Sequence, residues 1–220
     1  MNAVIGEILP LALAAGLSPI PLIAAVLLLM SGRRASGAWF AVAWFGGTLA
    51  VVAVGVAAAG VLSAADSTTT RPIVAWAKIV FGLVLLALAV RKIRSARTGG
   101  GVLPGWMSGL ETATPPRAAV LGLLLSGANP KNALLGLAAG LTIGTGSSEA
   151  GAVWALLAGY AIVATLGVGG LVVWTLLAPA SSARTLAEVR RFLTRHNAVI
   201  MALLLIVFGV VLVSDGIRAL

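Results

Sequence analysis

The strongest constraint on this chain is a series of six apolar stretches, most of them as long as the ~20 residues that one bilayer crossing requires. They are bounded by charges and turn residues and fall at about 4–30, 38–62, 72–90, 117–142, 151–178 and 198–214. Only 10% of the 220 residues are charged, whereas soluble proteins carry about 25%. The sequence therefore predicts an all-α integral membrane protein with six transmembrane helices, TM1 to TM6 in chain order.

The composition excludes several kinds of site. Cys is absent and His196 is the single His, so disulfides, thiolate ligands and His-based metal clusters are ruled out. No pair of carboxylates lies near the middle of a span, which argues against a divalent-metal transporter. We expect no metal, no cofactor and no enzymatic activity. A membrane enzyme built on a Ser18–Lys131 dyad is the last of the alternatives.

The basic residues predict the orientation. Lys and Arg number 15 and the net charge is +9. Eleven of the basic residues lie in loops on one side of the predicted helices, and only Arg71 and Arg218 lie on the other side. By the positive-inside rule both termini lie outside the cytoplasm. We therefore expect a multi-pass protein of the bacterial plasma (inner) membrane, with residues 1–30 as a retained span, and no binding of nucleic acid.

Two pairs of matching segments indicate an internal duplication. Gly16-Leu17-Ser18-Pro19 in TM1 matches Gly127-Ala128-Asn129-Pro130 in TM4, and the tetrapeptide Ile-Val-Phe-Gly occurs at 79–82 and again at 206–209. Each half has an odd number of spans, so the halves have opposite orientations, as in many transporters. We predict a first three-helix repeat over 1–98, a cytoplasmic linker or interfacial segment over 99–116, and a second repeat over 117–220.

Proline interrupts both TM1 and TM4 near their middle. Pro19 and Pro130 each remove a backbone donor and clash with the preceding turn, and Pro21 adds a second proline to TM1. Ser18 and Asn129 precede them, as N-cap residues do. Symmetric breaks near the bilayer midplane are the best sequence indication of a substrate site. Two packed kinks without a ligand are the structural alternative.

Lys131 supports a site at the second break. A cation at the centre of a membrane helix costs about 2.5–3.5 kcal/mol on insertion scales, and Asn129 and Asn132 flank it with amide groups. We predict that Ser18, Pro19, Pro21, Asn129, Pro130, Lys131 and Asn132 bind substrate. The alternative is that Lys131 bonds to carbonyls of the broken TM1 and holds the two halves together.

Charges near the helix ends suggest further roles. Glu7, Lys78 and Asp215 are candidates for an outer gate or for proton coupling, and an ordinary ion pair at a solvated rim is the alternative. Residues 184–197 carry apolar side chains on one helical face, and Arg184, Arg191 and Arg195 on the other. This pattern predicts an interfacial helix whose arginines contact anionic headgroups. The 99–116 segment is either a lid or a tether.

The two break motifs resemble a known family. Leu17-Ser18-Pro19-Ile20-Pro21-Leu22-Ile23 and Asn129-Pro130-Lys131-Asn132 are similar to the first-helix and fourth-helix patterns of the GAP family, the glycopeptidolipid- and sulfolipid-addressing proteins of the LysE transporter superfamily. The segment from Trp106 to Pro115 also resembles that family, with Glu111 where Asp is more usual. The resemblance implies export across the plasma membrane, and for the named members movement of complex envelope lipids, mainly in actinobacteria.

We therefore expect an exporter that moves an amphiphilic cell-envelope lipid, of the glycolipid or peptidoglycolipid class, outward by alternating access at a midplane site between TM1 and TM4. A proton-coupled exporter of amino acids or small solutes and a non-transporting scaffold for lipid-synthesis enzymes are the alternatives. The expected partners are a lipid or smaller amphiphilic substrate, anionic membrane lipids on the cytoplasmic side, lipid-synthesis proteins and a second copy of the chain.

Overall fold

The computed structural model describes residues 1–65, 67–97, 105–147 and 149–220. The protein is 93% helical, and no strand occurs in these ranges. The all-helical fold predicted from the apolar stretches is therefore confirmed. Asp66 and the first part of the 99–116 segment, up to Pro104, lie outside the described residues.

Four helices make up the first half of the chain: α1 (Asn2–Gly16), α2 (Pro19–Met30), α3 (Arg34–Ala65) and α4 (Ser67–Arg97). The predicted TM1 is thus two helices that meet at an angle of 47°. The helix that contains TM3 continues beyond residue 90, so the basic residues that follow are helical instead of forming a loop.

The second half contains a 3₁₀ helix (Gly105–Thr112), α5 (Pro115–Leu123), a π turn (Leu124–Ala128), α6 (Pro130–Gly146), α7 (Ala150–Leu177) and α8 (Pro179–Ala219). The predicted TM4 is interrupted at the expected place, between the π turn and Pro130. The structure divides it into three short pieces because the proline and the adjoining π turn both interrupt the α-helical hydrogen bonds.

Within the described ranges, four helices are long and apolar enough to cross a bilayer: α3, α4, α7 and α8. The bent pair α1–α2 makes a fifth span if it is counted as one. Large apolar side chains on the outer surface remain exposed, among them Val54, Trp76, Leu166 and Leu203. An apolar exterior of this kind fits a protein surrounded by lipid. The chain is a multi-pass membrane protein by these criteria.

The helices that follow the breaks form the interior of the bundle. Every residue of α2 from Ile23 to Leu29 is at least 97% buried, enclosed by α3, α7, α8 and the 3₁₀ helix. In α6 most residues after Pro130 are buried as well, against α1 and α3. By contrast, α1 and α5 keep an exposed apolar side. The two interrupted segments thus share one pattern, a first helix with an exposed apolar side followed by a buried second helix.

The repeated tetrapeptide marks a close approach of α4 and α8. A Cβ atom on Gly82 would lie 2.6 Å from the carbonyl oxygen of Gly209, and a Cβ on Gly209 would lie 3.0 Å from that of Gly82. Only glycine allows the two backbones to come this close. The final residues of the two matching segments therefore face each other at this crossing.

The predicted interfacial helix at 184–197 is corrected by the structure in two respects. It is the first part of α8, a continuous helix of 41 residues and about 62 Å. Its apolar face does not lie in lipid, since Leu186 and Leu193 are buried in the same core cluster as α2. The arginines on the opposite face remain exposed or half-buried.

The described part of the 99–116 segment is packed against the bundle. Met107 and Leu110 are buried in the α2 cluster. The Ser36 hydroxyl donates to the carbonyl of Ala113 (2.9 Å) and the Arg33 guanidinium to that of Thr112 (3.2 Å). Glu111 forms an ion pair with Arg190 at 3.6 Å. The 3₁₀ helix therefore covers α2 at the end of the molecule that carries Arg33 and Arg190, which we call the basic end.

Candidate functional site

The break between α1 and α2 is buried, and its N-cap side chain makes no cap hydrogen bond. Pro19 has no N–H, and the Ser18 N–H bonds to the carbonyl of Ala15 at 3.3 Å, one residue short of the α-helical partner Ala14. Ser18 occupies the predicted N-cap position, but its hydroxyl makes no cap hydrogen bond and has no partner among the described residues. It is 0% exposed. The carbonyl of Ala14 is thereby left without its usual donor.

The break between the π turn and α6 is capped by side chains. Asn129 is the N-cap of α6, and its Oδ1 accepts a hydrogen bond from the backbone N–H of Lys131 at 3.2 Å. The Asn132 Nδ2 donates to the carbonyl of Leu125, in the π turn, at 3.1 Å. Both amides thus satisfy backbone groups that the proline leaves unpaired. The Oδ1 of Asn132 is buried and has no partner among the described residues.

Lys131 connects the two breaks. Its ammonium group donates to the carbonyl of Ala14 at 2.6 Å, and the residue is only 2% exposed. The carbonyl freed by the first break is therefore satisfied by a cation from the second. This is the bond expected if Lys131 ties the broken TM1 to TM4. The same side chain also lines a cleft.

An open cleft of about 340 Å³ lies between α4, α6 and α8. From α6 it is lined by Asn129, Pro130 and Lys131. Leu88, Met201 and Leu205 give it an apolar side, and the final turns of α4 give it a basic side with Arg91, Lys92 and Ser95. An anion with an apolar part would find three cationic side chains and an apolar wall in the same place.

Arg91 and Lys92 line the cleft but were not predicted as site residues from the sequence, where they contribute only to the orientation. Because α4 continues beyond the apolar stretch, positions 88, 91, 92 and 95 fall on one helical face, and that face lines the cleft. The helical spacing of these four residues is the signal that was available. Conversely, the structure does not bring Ser18, Pro19 and Pro21 to this cleft, since all three are buried in the core. Asn132 is buried behind it.

The three gate candidates come together at the end of the molecule opposite the basic end. Lys78 on α4 is 7% exposed and forms an ion pair with Glu7 on α1 at 2.8 Å. Asp215 on α8 interacts electrostatically with both of these residues and with Arg218. We call these four residues the outer charge cluster. It joins α1, α4 and α8, which are far apart in sequence.

The three predicted headgroup arginines lie on the exposed side of α8. Arg184 pairs with Glu188 at 3.2 Å, one helical turn away. Arg191 and Arg195 line a wide groove with Arg190 and Met30, at the end of α2.

Among the described residues no group of three or more His, Asp or Glu could hold a metal ion.

Comparison with known families gives a match that spans nearly the whole chain. The family described as Sap, sulfolipid-1-addressing protein, matches residues 8–218. The chain belongs to this family. The resemblance that the two break motifs suggested is thus confirmed. No curated protein and no solved structure gives a significant match. Membership links this membrane protein to the addressing of sulfolipids, and both break motifs lie within the matched region.

Proposed function

We propose that the protein exports an anionic, amphiphilic cell-envelope lipid, and that the cleft between α4, α6 and α8 receives the lipid headgroup. The observation that carries the proposal is the composition of the cleft. Lys131, Arg91 and Lys92 line it together with Leu88, Met201 and Leu205. A family linked to the addressing of a sulfolipid agrees with a site that combines cationic and apolar side chains.

The chemistry of the cleft fits a sulfate or phosphate group. Arg91 presents a planar fork that binds two oxygens of such a group, and Lys92 adds a second charge. Lys131 contributes a desolvated ammonium beside the Asn129 amide. The cleft is open on one side, so acyl chains need not enter the protein and can remain in the bilayer. An enclosed cavity would instead favour an amino acid or another small solute.

The architecture we propose is two inverted three-helix repeats, with α5, the π turn and α6 forming the sixth span. Supporting this, the glycines of the repeated tetrapeptide face each other between α4 and α8. The two broken spans also share the same order of exposed and buried halves. In the orientation we propose, the basic end is cytoplasmic and the termini face outward, so the cleft receives lipid from the cytoplasmic side.

The step that couples binding to movement is an exchange at Lys131. A sulfate or phosphate oxygen is a stronger acceptor for an ammonium group than a neutral carbonyl is. A headgroup in the cleft therefore competes with Ala14 for Lys131 and releases the end of α1. Glu7 lies two turns earlier on the same helix, in the outer charge cluster. Release of α1 would loosen that cluster, and proton uptake by Glu7 or Asp215 is the candidate coupling reaction.

The test compares surface-extractable with cell-retained lipids in a strain that lacks the gene. The strain is complemented by the parent protein, by Lys131→Ala or by Arg184→Gln at equal expression. We expect one anionic lipid class to stay inside at normal total amount without the gene. The parent and Arg184→Gln should restore its export, and Lys131→Ala should not. If that lipid is no longer made, and Lys131→Ala restores it, the protein is a scaffold for synthesis and the proposal is wrong.

A further inference from the structure

The outer charge cluster has a counterpart in the cytoplasmic cleft. Two offsets relate the halves: 111 residues between TM1 and TM4, and 127 residues between TM3 and TM6. By these offsets, residues that line the cleft have equivalent positions in the other half of the chain: Asn129 is equivalent to Ser18, Met201 to Val74 and Leu205 to Lys78. Likewise, Leu88 is equivalent to Asp215 and Arg91 to Arg218. Three of the four residues of the outer charge cluster are therefore positions equivalent to lining residues of the cleft.

We infer that the outer charge cluster is the closed form of a second anion-binding cleft, which opens outward and receives the same sulfated or phosphorylated headgroup before its release. This inference rests on the proposed function and names a second site on the same path. In an inverted repeat, exchange of the conformations of the two halves converts an inward-open cleft into an outward-open one. The cations of the outer site are Lys78 and Arg218.

The present conformation explains why this second site is not open. Glu7 forms an ion pair with Lys78 at 2.8 Å, and Asp215 lies within electrostatic range of Lys78 and Arg218. The two carboxylates take the place that the oxygens of a headgroup would take. Ser18 and Val74, the equivalents of two residues that line the cytoplasmic cleft, are 0% and 5% exposed. The buried hydroxyl of Ser18, which has no partner among the described residues, is a polar group that an open outer cleft would provide with a partner.

The carboxylates also give the outer site a way to release its ligand. When Glu7 and Asp215 return to the two cations, they displace the anionic headgroup by direct competition. Among the described residues, no acidic side chain lines the cytoplasmic cleft, so it binds an anion without such competition. The anionic headgroup therefore binds more tightly at the cytoplasmic cleft than at the outer site. Export requires a difference in affinity in this direction.

Single-cysteine labelling tests this inference cleanly because the chain contains no Cys. Ser18→Cys and Val74→Cys report on the outer site, and Asn129→Cys and Met201→Cys on the cytoplasmic cleft. A membrane-impermeant thiol reagent is applied to spheroplasts for the outer side and to inverted membrane vesicles for the cytoplasmic side. Each reporter is combined with Glu7→Gln, with Asp215→Asn, or with the matched control Glu188→Gln, which removes an exposed pair on α8.

We expect Glu7→Gln to raise the outside labelling rate of both outer reporters about tenfold and to lower cytoplasmic labelling of Asn129→Cys, because losing a partly buried charge pair shifts the populations. Asp215→Asn should act in the same direction, and Glu188→Gln should change nothing. A fluorescent sulfated glycolipid should slow labelling of Val74→Cys in the Glu7→Gln background. Adding Lys78→Gln should remove that protection.

The inference is overturned if both outer reporters stay unreactive in Glu7→Gln and in Asp215→Asn while these proteins still transport the glycolipid. It is also overturned if the outer reporters open but the glycolipid gives no protection there. A different result contradicts only the proposed function: the outer reporters open and are protected, yet the parent protein moves no glycolipid between leaflets.

Discussion

The two helix breaks have nearly the same backbone and very different surroundings. Ser18 and Asn129 both adopt an extended conformation directly before a proline, with φ, ψ of −65°, 116° and −73°, 114°. The first break is enclosed in the core, and the hydroxyl of Ser18 has no partner among the described residues. The second is capped by amides, holds a buried Lys and lines a cleft. The motif determines where the helix stops, and the surrounding helices determine whether a site forms there.

The position after each proline shows the difference most clearly. Ile20 follows Pro19, and Lys131 follows Pro130. Only the side chain of Lys131 can donate a hydrogen bond, and it donates to the carbonyl that the first break leaves free. The hydrogen bond from Lys131 to Ala14 thus links the two breaks, and Ile20 has no corresponding bond from its side chain.

Lys131→Met should have the largest effect, a loss of transport of about 30-fold or more. It removes a charged hydrogen bond worth roughly 1.5–3 kcal/mol and the most deeply buried cation of the cleft. Ile20→Lys in the same protein should not restore transport, because the first break does not line the cleft. The measurement is the initial rate of transfer of a fluorescent sulfated glycolipid in vesicles. Restoration by Ile20→Lys would show that the two breaks are interchangeable.

The double variant Arg91→Gln/Lys92→Gln should weaken binding of the glycolipid about tenfold, and the difference should shrink as salt is added, since both cations are partly exposed and screened. Equilibrium binding at two ionic strengths measures it. Arg184→Gln is the control, since this cation lies away from the cleft on α8. Equal weakening by the control would mean that overall charge, and not the cleft, attracts the lipid.

Substitutions at Asn129 and at Ser18 should change the free energy of unfolding by different amounts. Asn129→Ala removes a side-chain cap and should cost about 1 kcal/mol of unfolding free energy. Ser18→Ala removes a hydroxyl with no partner among the described residues and should be neutral or slightly stabilising. Unfolding of the purified protein in detergent compares the variants. A larger loss for Ser18→Ala would reveal a polar partner at the first break.

Glu111→Gln should have the smallest effect, at most about 0.5 kcal/mol on unfolding, because its pair with Arg190 is half-exposed. The 3₁₀ helix that covers α2 should stay docked through Met107 and Leu110. Proteolysis of the 105–114 segment at matched protein concentrations measures docking. Rapid cleavage in Glu111→Gln alone would mean that the ion pair, and not the apolar contact, keeps α2 covered.

Local chemistry made the breaks predictable. A proline in the middle of an apolar stretch removes a backbone donor and clashes with the preceding turn, so the breaks at Pro19 and Pro130 could be predicted from the sequence alone. Pro10, by contrast, lies inside the continuous helix α1, so a proline by itself does not fix a break. The cleft could not be predicted from the sequence, because it combines three helices whose lining residues are as far apart as Leu88 and Leu205. Charges were also misleading as boundaries. The run after residue 90 and the segment before residue 198 look like loop and interface, yet both continue a transmembrane helix.

The ion pairs and hydrogen bonds between different helices could not be predicted from the sequence either. Glu7, Lys78 and Asp215 were selected as a group because charges are rare near spans, but nothing in their spacing indicates that Glu7 pairs with Lys78, 71 residues away. Likewise, both expectations for Lys131 are compatible with one structure. It ties α6 to α1 and it lines the cleft, and the competition between these two contacts is what we propose to drive transport.

The measurement that tests the central claim most directly follows transfer of a fluorescent sulfated glycolipid between the leaflets of phosphatidylcholine vesicles that contain the purified protein. The lipid is compared with an uncharged glycolipid of the same chain length, for the parent protein and for Lys131→Met. We predict that the parent transfers the sulfated lipid much faster than the uncharged one, and that Lys131→Met removes this preference while remaining folded. Equal transfer of both lipids by the parent, or an unchanged preference in Lys131→Met, would contradict the account.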